Sequence, residues 1–208
     1  MARTLPAARP LQRGGSGHRR RGLATLAAAL LFMVPAGRAA TAAAPDTSND
    51  APPALPLDAP NVVVISPDLV TSGQPSAQAL QSLAAHGFQA VIYLAPSTVP
   101  SAVSDEAQRL AAQGITFIHL PIEFGAPTAA HVERFNAAMA SLRGRQVLVH
   151  CEINMRASSM VFLYRVTQRQ EPPALAYEAV ARVWSPRGVW RRLIVDQLAR
   201  YQLAFEPY

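Results

Sequence analysis

The most informative segment of the chain is Val147-Leu148-Val149-His150-Cys151-Glu152-Ile153-Asn154-Met155-Arg156-Ala157-Ser158. Its first part is an apolar, β-branched run typical of a buried strand, and a short polar loop and a helix-forming stretch follow. Backbone N–H groups at the start of such a helix, together with a guanidinium in the loop, bind phosphate or a similar oxyanion. The same electrostatic field favours the thiolate form of a cysteine. The segment therefore predicts an anion-binding loop with Cys151 as a nucleophile.

The N-terminal residues 1–44 predict an export signal rather than a part of the folded domain. Arg19–Arg21 precede an apolar run from Leu23 to Val34, and small residues suited to cleavage follow at Ala36–Ala40. The run is shorter than a comfortable membrane span, so we expect no stable span after signal removal. Ordinary secretion and the twin-arginine route both fit, and an uncleaved N-terminal anchor is the alternative. The predicted location is periplasmic or secreted.

Most of the positive charge of the chain lies in this leader. It holds seven of the 19 basic residues and none of the 13 acidic residues, which leaves 12 basic against 13 acidic residues and a net charge of −1. A nucleic-acid partner is therefore not expected, although the whole chain has a net charge of +6. Residues 45–60 are rich in Pro, Ala and Asp and predict a disordered linker. Residues 61–208 predict one domain with a core of its own.

Short apolar runs alternate with helical patterns along this domain. The predicted strands are Val62–Ile65, Ala90–Leu94, Thr116–Leu120 and Gln146–His150. The predicted helices are Ser76–His86, Ser101–Gln113, Thr128–Leu142, Ala157–Gln168, Ala174–Val183 and Val189–Phe205. Helices between strands require crossover connections, so the class is α/β, with a central, mostly parallel sheet of four to five strands flanked by helices. Ligand sites in such sheets lie at the carboxyl ends of the strands, where Cys151 is placed.

Three further segments resemble a known family when they are taken together with Val149-His150-Cys151. They are Thr71-Ser72-Gly73-Gln74-Pro75-Ser76, the stretch from Leu80 through Gly87 to Leu94, and His119-Leu120-Pro121-Ile122-Glu123-Phe124 with Pro127-Thr128. The combination resembles the bacterial phosphatases of the dual-specificity, protein-tyrosine-phosphatase-like superfamily, and within it the group that includes the phosphatase-like domain of beta-lactamase-hydrolase-like proteins. The resemblance covers about Val62 to Val166.

The resemblance implies phosphomonoester hydrolysis in two steps through a cysteinyl-phosphate, with no metal and no cofactor. By the same resemblance Cys151 is the nucleophile, Arg156 the phosphate clamp and His150 the residue that orders the loop. Ser158 would donate to the thiolate, and Glu123 is the carboxylate available as general acid. The implied phosphate-binding residues are Glu152, Ile153, Asn154, Met155, Arg156 and Ala157. The implied partner is a phosphorylated protein or a small phosphomonoester substrate.

The chain departs from the family pattern at three points. Four residues separate Cys151 from Arg156 where the family has five. Either the loop is one residue shorter, or the helix register is kept and Ala157 takes the place of the arginine. Asn154 stands where the family commonly has a glycine. Phe124 occupies the position at which a comparison with lipid-phosphatase relatives places the general acid.

Other protein classes fit parts of the pattern. A six-residue loop from cysteine to arginine also resembles the rhodanese family, in which the cysteine carries a persulfide. A catalytically weak phosphatase-like fold that binds an anionic ligand or a partner is the third interpretation, and many lone cysteines are simply buried and inert. His119, Glu123 and His131 lie on different predicted elements without a recognised ligand spacing, so no metal site is predicted. The sequence does not set an oligomeric state.

An acidic pair and a pair of tryptophans are predicted to serve the fold. Asp105 and Glu106 are predicted to favour the start of a helix by their charge. Trp184 and Trp190 are predicted to pack the C-terminal helices against the sheet, with the wall of a substrate pocket as the alternative for one of them.

Overall fold

A computed structural model describes residues 57–208. Its strands are β1 Val63–Ser66, β2 Leu69–Ser72, β3 Ala90–Tyr93, β4 Thr116–His119 and β5 Val147–His150. Its helices are α1 Ala77–Leu80, α2 Glu106–Ala111, α3 Ala129–Ser141, α4 Met155–Thr167, α5 Pro173–Ala181 and α6 Gly188–Arg200, with a 3-10 turn at Ala84–His86. Within the described residues, no helix combines the length and the apolar character that crossing a bilayer requires.

The five strands form one sheet in the order β1-β2-β5-β3-β4. Only the hairpin of β1 and β2 is antiparallel, and the other pairs are parallel. The predicted α/β class and the mostly parallel sheet are therefore confirmed. Strand β2 was absent from the predicted strands because its second half is polar. Thr71 and Ser72 are nevertheless fully buried, and β2 lies in the interior of the sheet, between β1 and β5.

The alternation of side chains along β5 decides which residues reach which side of the sheet. Val147 and Val149 belong to the core cluster that also contains side chains of α3 to α6. Leu148 belongs to the second cluster, with side chains of α1 and α2. Continuing the alternation, His150 contacts α2 through Glu106, whereas Cys151 joins the first cluster. The strand thus delivers two adjacent chemical groups to opposite faces of the sheet.

Two predicted helices are shorter than expected. The helix predicted at Ser101–Gln113 is confined to α2, and the one predicted at Ser76–His86 divides into α1 and the 3-10 turn. Gly87 ends that turn with a φ of 88°, a left-handed conformation that suits glycine.

The predicted disordered linker at residues 45–60 needs a correction at its C-terminal end. Leu57 belongs to the second core cluster, the carbonyl of Asp58 accepts a hydrogen bond from the N–H of Ser76, and the carbonyl of Pro60 accepts one from Gly73. These contacts move the start of the packed domain from residue 61 to residue 57. The predicted export signal at residues 1–44 and the rest of the linker lie outside the described residues.

Candidate active site

Cys151 follows the last residue of β5 and has no exposed surface in the structure. Its N–H donates to the carbonyl of Ser72 at 3.3 Å, which continues the pairing of β5 with β2 beyond the end of the strand. Helix α4 begins only four residues later, at Met155. The predicted strand, short loop and helix are therefore present, and the cysteine lies at the carboxyl edge of the sheet.

The first turn of α4 offers free backbone donors to this loop. The first N–H groups of a helix, here those of Met155, Arg156 and Ala157, have no intrahelical acceptor. Within residues 57–208 no other backbone carbonyl accepts a hydrogen bond from them. The preceding Asn154 has a φ of 72°, and consecutive N–H groups in a turn of mixed handedness form an anion-binding concavity. The loop has the donors and the helix dipole that an oxyanion requires.

The structure shows why an asparagine can stand at position 154, where the family commonly has a glycine. Its left-handed conformation is one that glycine adopts freely and that asparagine tolerates better than most residues. Its side-chain amide is buried and donates to the carbonyl of Asn61 at 2.6 Å and to Oγ1 of Thr71 at 3.1 Å. Asn61 returns a hydrogen bond from Nδ2 to the carbonyl of Ile153 at 3.0 Å. Asn154 therefore ties the loop to the β1–β2 side of the sheet.

The Gly73-Gln74-Pro75 segment also contacts the cysteine loop through its backbone. Gly73 pairs with Ile153 in an isolated antiparallel bridge, and the N–H of Gln74 donates to the carbonyl of Glu152 at 3.0 Å. A Cβ at Gly73 would lie 2.9 Å from the carbonyl oxygen of Glu152 and 2.9 Å from Cβ of Pro60. The glycine is therefore required for the close approach of two backbones.

Arg156 is held beside the loop rather than in solvent, with 4% of its surface exposed. Its Nε donates to the carbonyl of Ile122 at 2.9 Å, and its guanidinium carbon lies 5.1 Å from the centre of the Phe124 ring. Its Nη1 is 3.8 Å from Oε2 of Glu152. Ala157, by contrast, is buried in the core cluster. Arg156, and not Ala157, therefore lies beside the loop, which fits the first of the two alternatives, a loop one residue shorter, and the role of Arg156 as phosphate clamp stays a prediction.

The segment that follows β4 supplies two of the three contacts of Arg156, those with Ile122 and Phe124. Trp190 fixes this segment by donating from Nε1 to the carbonyl of Phe124 at 2.9 Å, and the rings of Trp184 and Trp190 pack against Phe124. Glu123 lies between Ile122 and Phe124 and is exposed. Its side chain forms no hydrogen bond or ion pair within the part of the chain that the structure describes. It is accessible at the edge of the site, and its role as general acid stays a prediction.

His150 belongs to a buried polar cluster beneath the loop. Its Nε2 lies 2.7 Å from Oε1 of Glu106, whose Oε2 accepts a hydrogen bond from Nε2 of Gln74 at 2.9 Å. Strand β3 lies between β5 and β4. The ring of Tyr93 on β3 therefore stacks on the ring of His150 on β5, with 4.7 Å between the centres, and on the ring of His119 on β4. Burial, reinforced by the charges of Glu106 and Cys151, raises the pKa of Tyr93 to about 12.

Glu106 is the site residue that sequence reasoning missed. The sequence predicts that Asp105 and Glu106 favour a helix start by their charge, and Asp105 fits that prediction by pairing with Arg109 at 2.7 Å on the surface. Glu106 instead points inward and is 3% exposed. Its partner His150 is 44 residues away in sequence, so no local spacing predicts that the two side chains form a pair.

Ser158 and the histidines considered as metal ligands have other partners. The Oγ of Ser158 donates to the carbonyl of Met155 at 3.2 Å, so its proposed donation to the thiolate would require a rotation and stays a prediction. His119 Nε2 is hydrogen-bonded to the carbonyl of Ala95 at 2.8 Å, and His131 caps α3 with Thr128. Among residues 57–208 no group of three or more His, Cys, Asp or Glu side chains is arranged to hold a metal ion.

Comparison with known proteins gives a family match and a set of similar folds. Residues 66–188 match the family model described as DSP-PTPase phosphatase fused to NAD+ kinase. A DUF442 protein from Shewanella putrefaciens CN-32, solved as a candidate phosphatase, is 30% identical, covers 69% of this chain and 92% of its own, and superposes with a TM-score of 0.63. No curated protein matches the chain.

Two more distant structures share the fold. Tk-PTP in its active form is 22% identical over 69% of this chain and 97% of its own, with a TM-score of 0.54. PTPMT1 in complex with PI(5)P is 18% identical over 68% of this chain and 96% of its own, with a TM-score of 0.57. The family match covers more than half of the chain and includes the cysteine loop, which confirms the resemblance. The chain belongs to the DSP-PTPase phosphatases, within the dual-specificity and protein-tyrosine-phosphatase-like superfamily.

Proposed function

We propose that the protein is a cysteine-dependent phosphomonoester hydrolase that works through a cysteinyl-phosphate. The observation that carries the proposal is the loop from Cys151 to Arg156. A cysteine stands at one end and a buried arginine at the other, and the first turn of helix α4 adds backbone N–H groups that have no backbone acceptor within residues 57–208. A tetrahedral phosphoryl group needs a nucleophile, several N–H donors and a compensating positive charge, and this loop supplies all three.

In the first step the thiolate of Cys151 attacks phosphorus. The S–P bond forms as the bond between phosphorus and the ester oxygen breaks, and the leaving alcohol or phenol takes up a proton. Glu123 in its protonated form is the proposed donor of that proton, because it is the exposed carboxylate on the segment that holds Arg156. The loop N–H groups and the guanidinium stabilise the charge on the non-bridging oxygens.

In the second step water attacks phosphorus of the cysteinyl-phosphate. The S–P bond breaks, the sulfur leaves as a thiolate, and inorganic phosphate is released. The carboxylate of Glu123 would accept the proton of the attacking water and so return to its starting form. Ser158 would stabilise the departing thiolate once its hydroxyl turns away from the carbonyl of Met155, to which it is bonded in the resting structure.

Two exposed apolar side chains next to the loop, Phe124 and Ile153, favour substrates that carry an apolar group beside the phosphate. Phe124 and Ile153 are 39% and 42% exposed, and one flanks Arg156 while the other belongs to the loop itself. Such side chains bury apolar surface when a ring or chain covers them. We therefore include phosphorylated proteins and small phosphomonoesters as substrates, with aryl esters favoured. Aryl esters also depend less on a general acid, since a phenol leaves more readily than an alkyl alcohol.

We also infer from the leader that the enzyme acts in the periplasm or outside the cell. The support is the order of Arg19–Arg21, the apolar run from Leu23 to Val34 and the small residues at Ala36–Ala40. Mass spectrometry of the protein recovered from a periplasmic extract checks this. A chain that retains Met1 in that fraction would contradict cleavage.

The test is the hydrolysis of para-nitrophenyl phosphate by the full chain and by three variants. We expect Cys151→Ser to lose phosphate release by about three orders of magnitude or more, because the nucleophile is gone. We expect Arg156→Ala to lose about 100-fold, the usual effect of removing one group that stabilises the oxyanion. Arg200→Ala is the matched control, because Arg200 is an exposed arginine paired with Glu133 and should change the rate little.

An acid quench during turnover adds a direct readout. We expect a phosphorylated peptide that contains Cys151 in the wild type, and none in Cys151→Ser. Equal rates in all four proteins would contradict the proposal. Thiocyanate formation from thiosulfate and cyanide without phosphate release would establish the rhodanese alternative instead.

A further inference from the structure

Glu106 connects two segments that both touch the cysteine loop. Its Oε1 lies 2.7 Å from Nε2 of His150, and its Oε2 lies 2.9 Å from Nε2 of Gln74. The three side chains are buried. His150 directly precedes Cys151, and the backbone N–H of Gln74 donates to the carbonyl of Glu152. A displacement of the Glu106 carboxylate would therefore move the residues on both sides of Cys151, His150 directly and Glu152 through Gln74.

The carboxylate also determines where the imidazole proton lies. An ionised carboxylate only accepts hydrogen bonds, so Nε2 of His150 carries the proton that points at Glu106. This leaves Nδ1 buried, and within the described residues it has no hydrogen-bond partner. The stacking of Tyr93, with ring planes 15° apart, fixes the plane of the imidazole as well. Ring orientation and tautomer are both set one residue before the nucleophile.

A purely structural role gives a weaker account of these contacts. Burying a carboxylate is expensive, and replacing buried polar pairs with apolar groups is often neutral or stabilising. From its position next to the loop, the carboxylate accepts hydrogen bonds from His150 and Gln74 and aligns both side chains. An apolar residue could not do this. We propose that Glu106 is a positioning residue of the cysteine loop, acting through His150 and Gln74. The inference rests on the proposed function of that loop.

Glu106→Gln is the variant that separates positioning from stability. The new side chain has the same size and can satisfy both partners in either of two ways. In one, its Oε1 accepts from Nε2 of His150 and its NH2 donates to a flipped Gln74, whose Oε1 is buried without a partner within the described residues. In the other, its NH2 donates to Nε2 of His150 in the Nδ1–H form and its Oε1 accepts from Gln74, so the variant keeps the hydrogen bonds but no longer fixes the tautomer. We therefore expect the melting temperature to fall by less than about 4 °C. Asp105→Asn is the matched control, since Asp105 is the neighbouring acid and faces solvent.

For Glu106→Gln we expect kcat/KM on para-nitrophenyl phosphate to fall by fivefold or more, with Asp105→Asn unchanged. A smaller fall in a folded Glu106→Gln protein overturns the proposal. Long-range 1H–15N spectra of the His150 ring give a second readout, which a residue that only supports the fold would not change. We expect the Nε2–H tautomer in the wild type and a measurable population of the Nδ1–H form in the variant.

A double-mutant cycle with His150→Gln tests whether Glu106 acts through its partner. We expect the Glu106→Gln substitution to change kcat/KM by a smaller factor when His150 is already absent than it does in the wild type, because only the contact with Gln74 then remains. An equal effect in both backgrounds would mean that Glu106 works independently of His150 and overturns the proposal. If Glu106→Gln does not fold, Gln74→Met decides, because it loosens the carboxylate without leaving it unpaired. A fall of threefold or more in kcat/KM then supports positioning, and a smaller one overturns it.

Loss of the proposed phosphatase activity and loss of the positioning role of Glu106 give different experimental results. A wild-type protein without phosphate release removes the proposed function, but the tautomer measurement needs no activity. In that case a shift of tautomer in Glu106→Gln still supports the assignment of Glu106 to His150, and an unchanged tautomer overturns it.

Discussion

The side-chain amide of Asn154 donates to the carbonyl of Asn61, 93 residues earlier in the chain, at 2.6 Å. The same amide reaches Oγ1 of Thr71, and its backbone has a φ of 72°. One residue therefore combines an unusual backbone conformation with the anchoring of the cysteine loop. These two properties can be separated by substitution.

We expect Asn154→Ala to lower the free energy of unfolding by roughly 2–4 kcal/mol, because it loses two hydrogen bonds and places a Cβ in the left-handed region. Asn154→Gly loses the hydrogen bonds but not the backbone conformation, so we expect it to cost about 1–2 kcal/mol. Urea unfolding of both variants measures the difference. Equal stabilities would show that the left-handed conformation imposes no strain on alanine at this position.

Gly73→Ala tests the close approach of the Gly-Gln-Pro segment to the loop. The added Cβ would meet the backbone of Glu152 and the ring of Pro60 at 2.9 Å, so a backbone must move. We expect a stability loss of roughly 1–3 kcal/mol and a fall in kcat/KM of about tenfold or more, since the loop that holds the phosphoryl group is displaced. Gly125→Ala is the control for stability, because nothing lies within 4 Å of its added Cβ. Wild-type kcat/KM in Gly73→Ala would contradict the prediction.

Tyr93 gives a prediction for alkaline stability. Its pKa is raised from 10.0 to about 12, mainly by burial, so the folded state holds the phenolic proton more tightly than the unfolded chain. This contribution is fully present below pH 10 and is lost as the pH rises toward 12. The chain contains no lysine, which leaves few other side chains that titrate in this window.

We expect Tyr93→Phe to lose less free energy of unfolding between pH 10 and pH 12 than the wild type does. Below pH 10 the variant should be less stable by about 1 kcal/mol, because the hydroxyl donates to the carbonyl of Pro96. Urea unfolding at pH 9 to 12 measures both effects, with the exposed Tyr201→Phe as control. Parallel pH profiles for Tyr93→Phe and the wild type would refute the assignment.

The N-terminus of α3 gives a prediction for acidic pH. His131 accepts the N–H of Thr128 at Nδ1 and completes a capping box. Its pKa is lowered from 6.5, mainly by burial and further by Arg134, so its contribution is present above pH 6.5 and is lost as the pH falls. His131→Gln keeps a side-chain acceptor that does not titrate. We expect the stability difference between pH 7.5 and pH 5 to shrink in this variant. An unchanged difference in calorimetry at the two values would contradict the role of His131.

Local order and periodicity suffice to predict the strand-loop-helix at Val147–Ser158, the α/β class and the place of Cys151 at the carboxyl edge of the sheet. These features depend on neighbours in sequence, which the pattern displays directly. The helix predicted at Thr128–Leu142, which the structure has as α3, follows for the same reason. Strand β2 is not among the predicted strands because Thr71 and Ser72 are polar. Their burial involves distant segments, such as Asn154 against Oγ1 of Thr71, which no local pattern shows.

The tertiary structure alone reveals what holds the cysteine loop. Arg156 is fixed by the carbonyl of Ile122, His150 by the carboxylate of Glu106, and Asn154 by the carbonyl of Asn61. These partners lie 34, 44 and 93 residues away, and two of them are backbone carbonyls that any residue would provide. Sequence patterns encode side chains and short spacings, whereas these contacts exist because the sheet brings distant backbone segments to one edge.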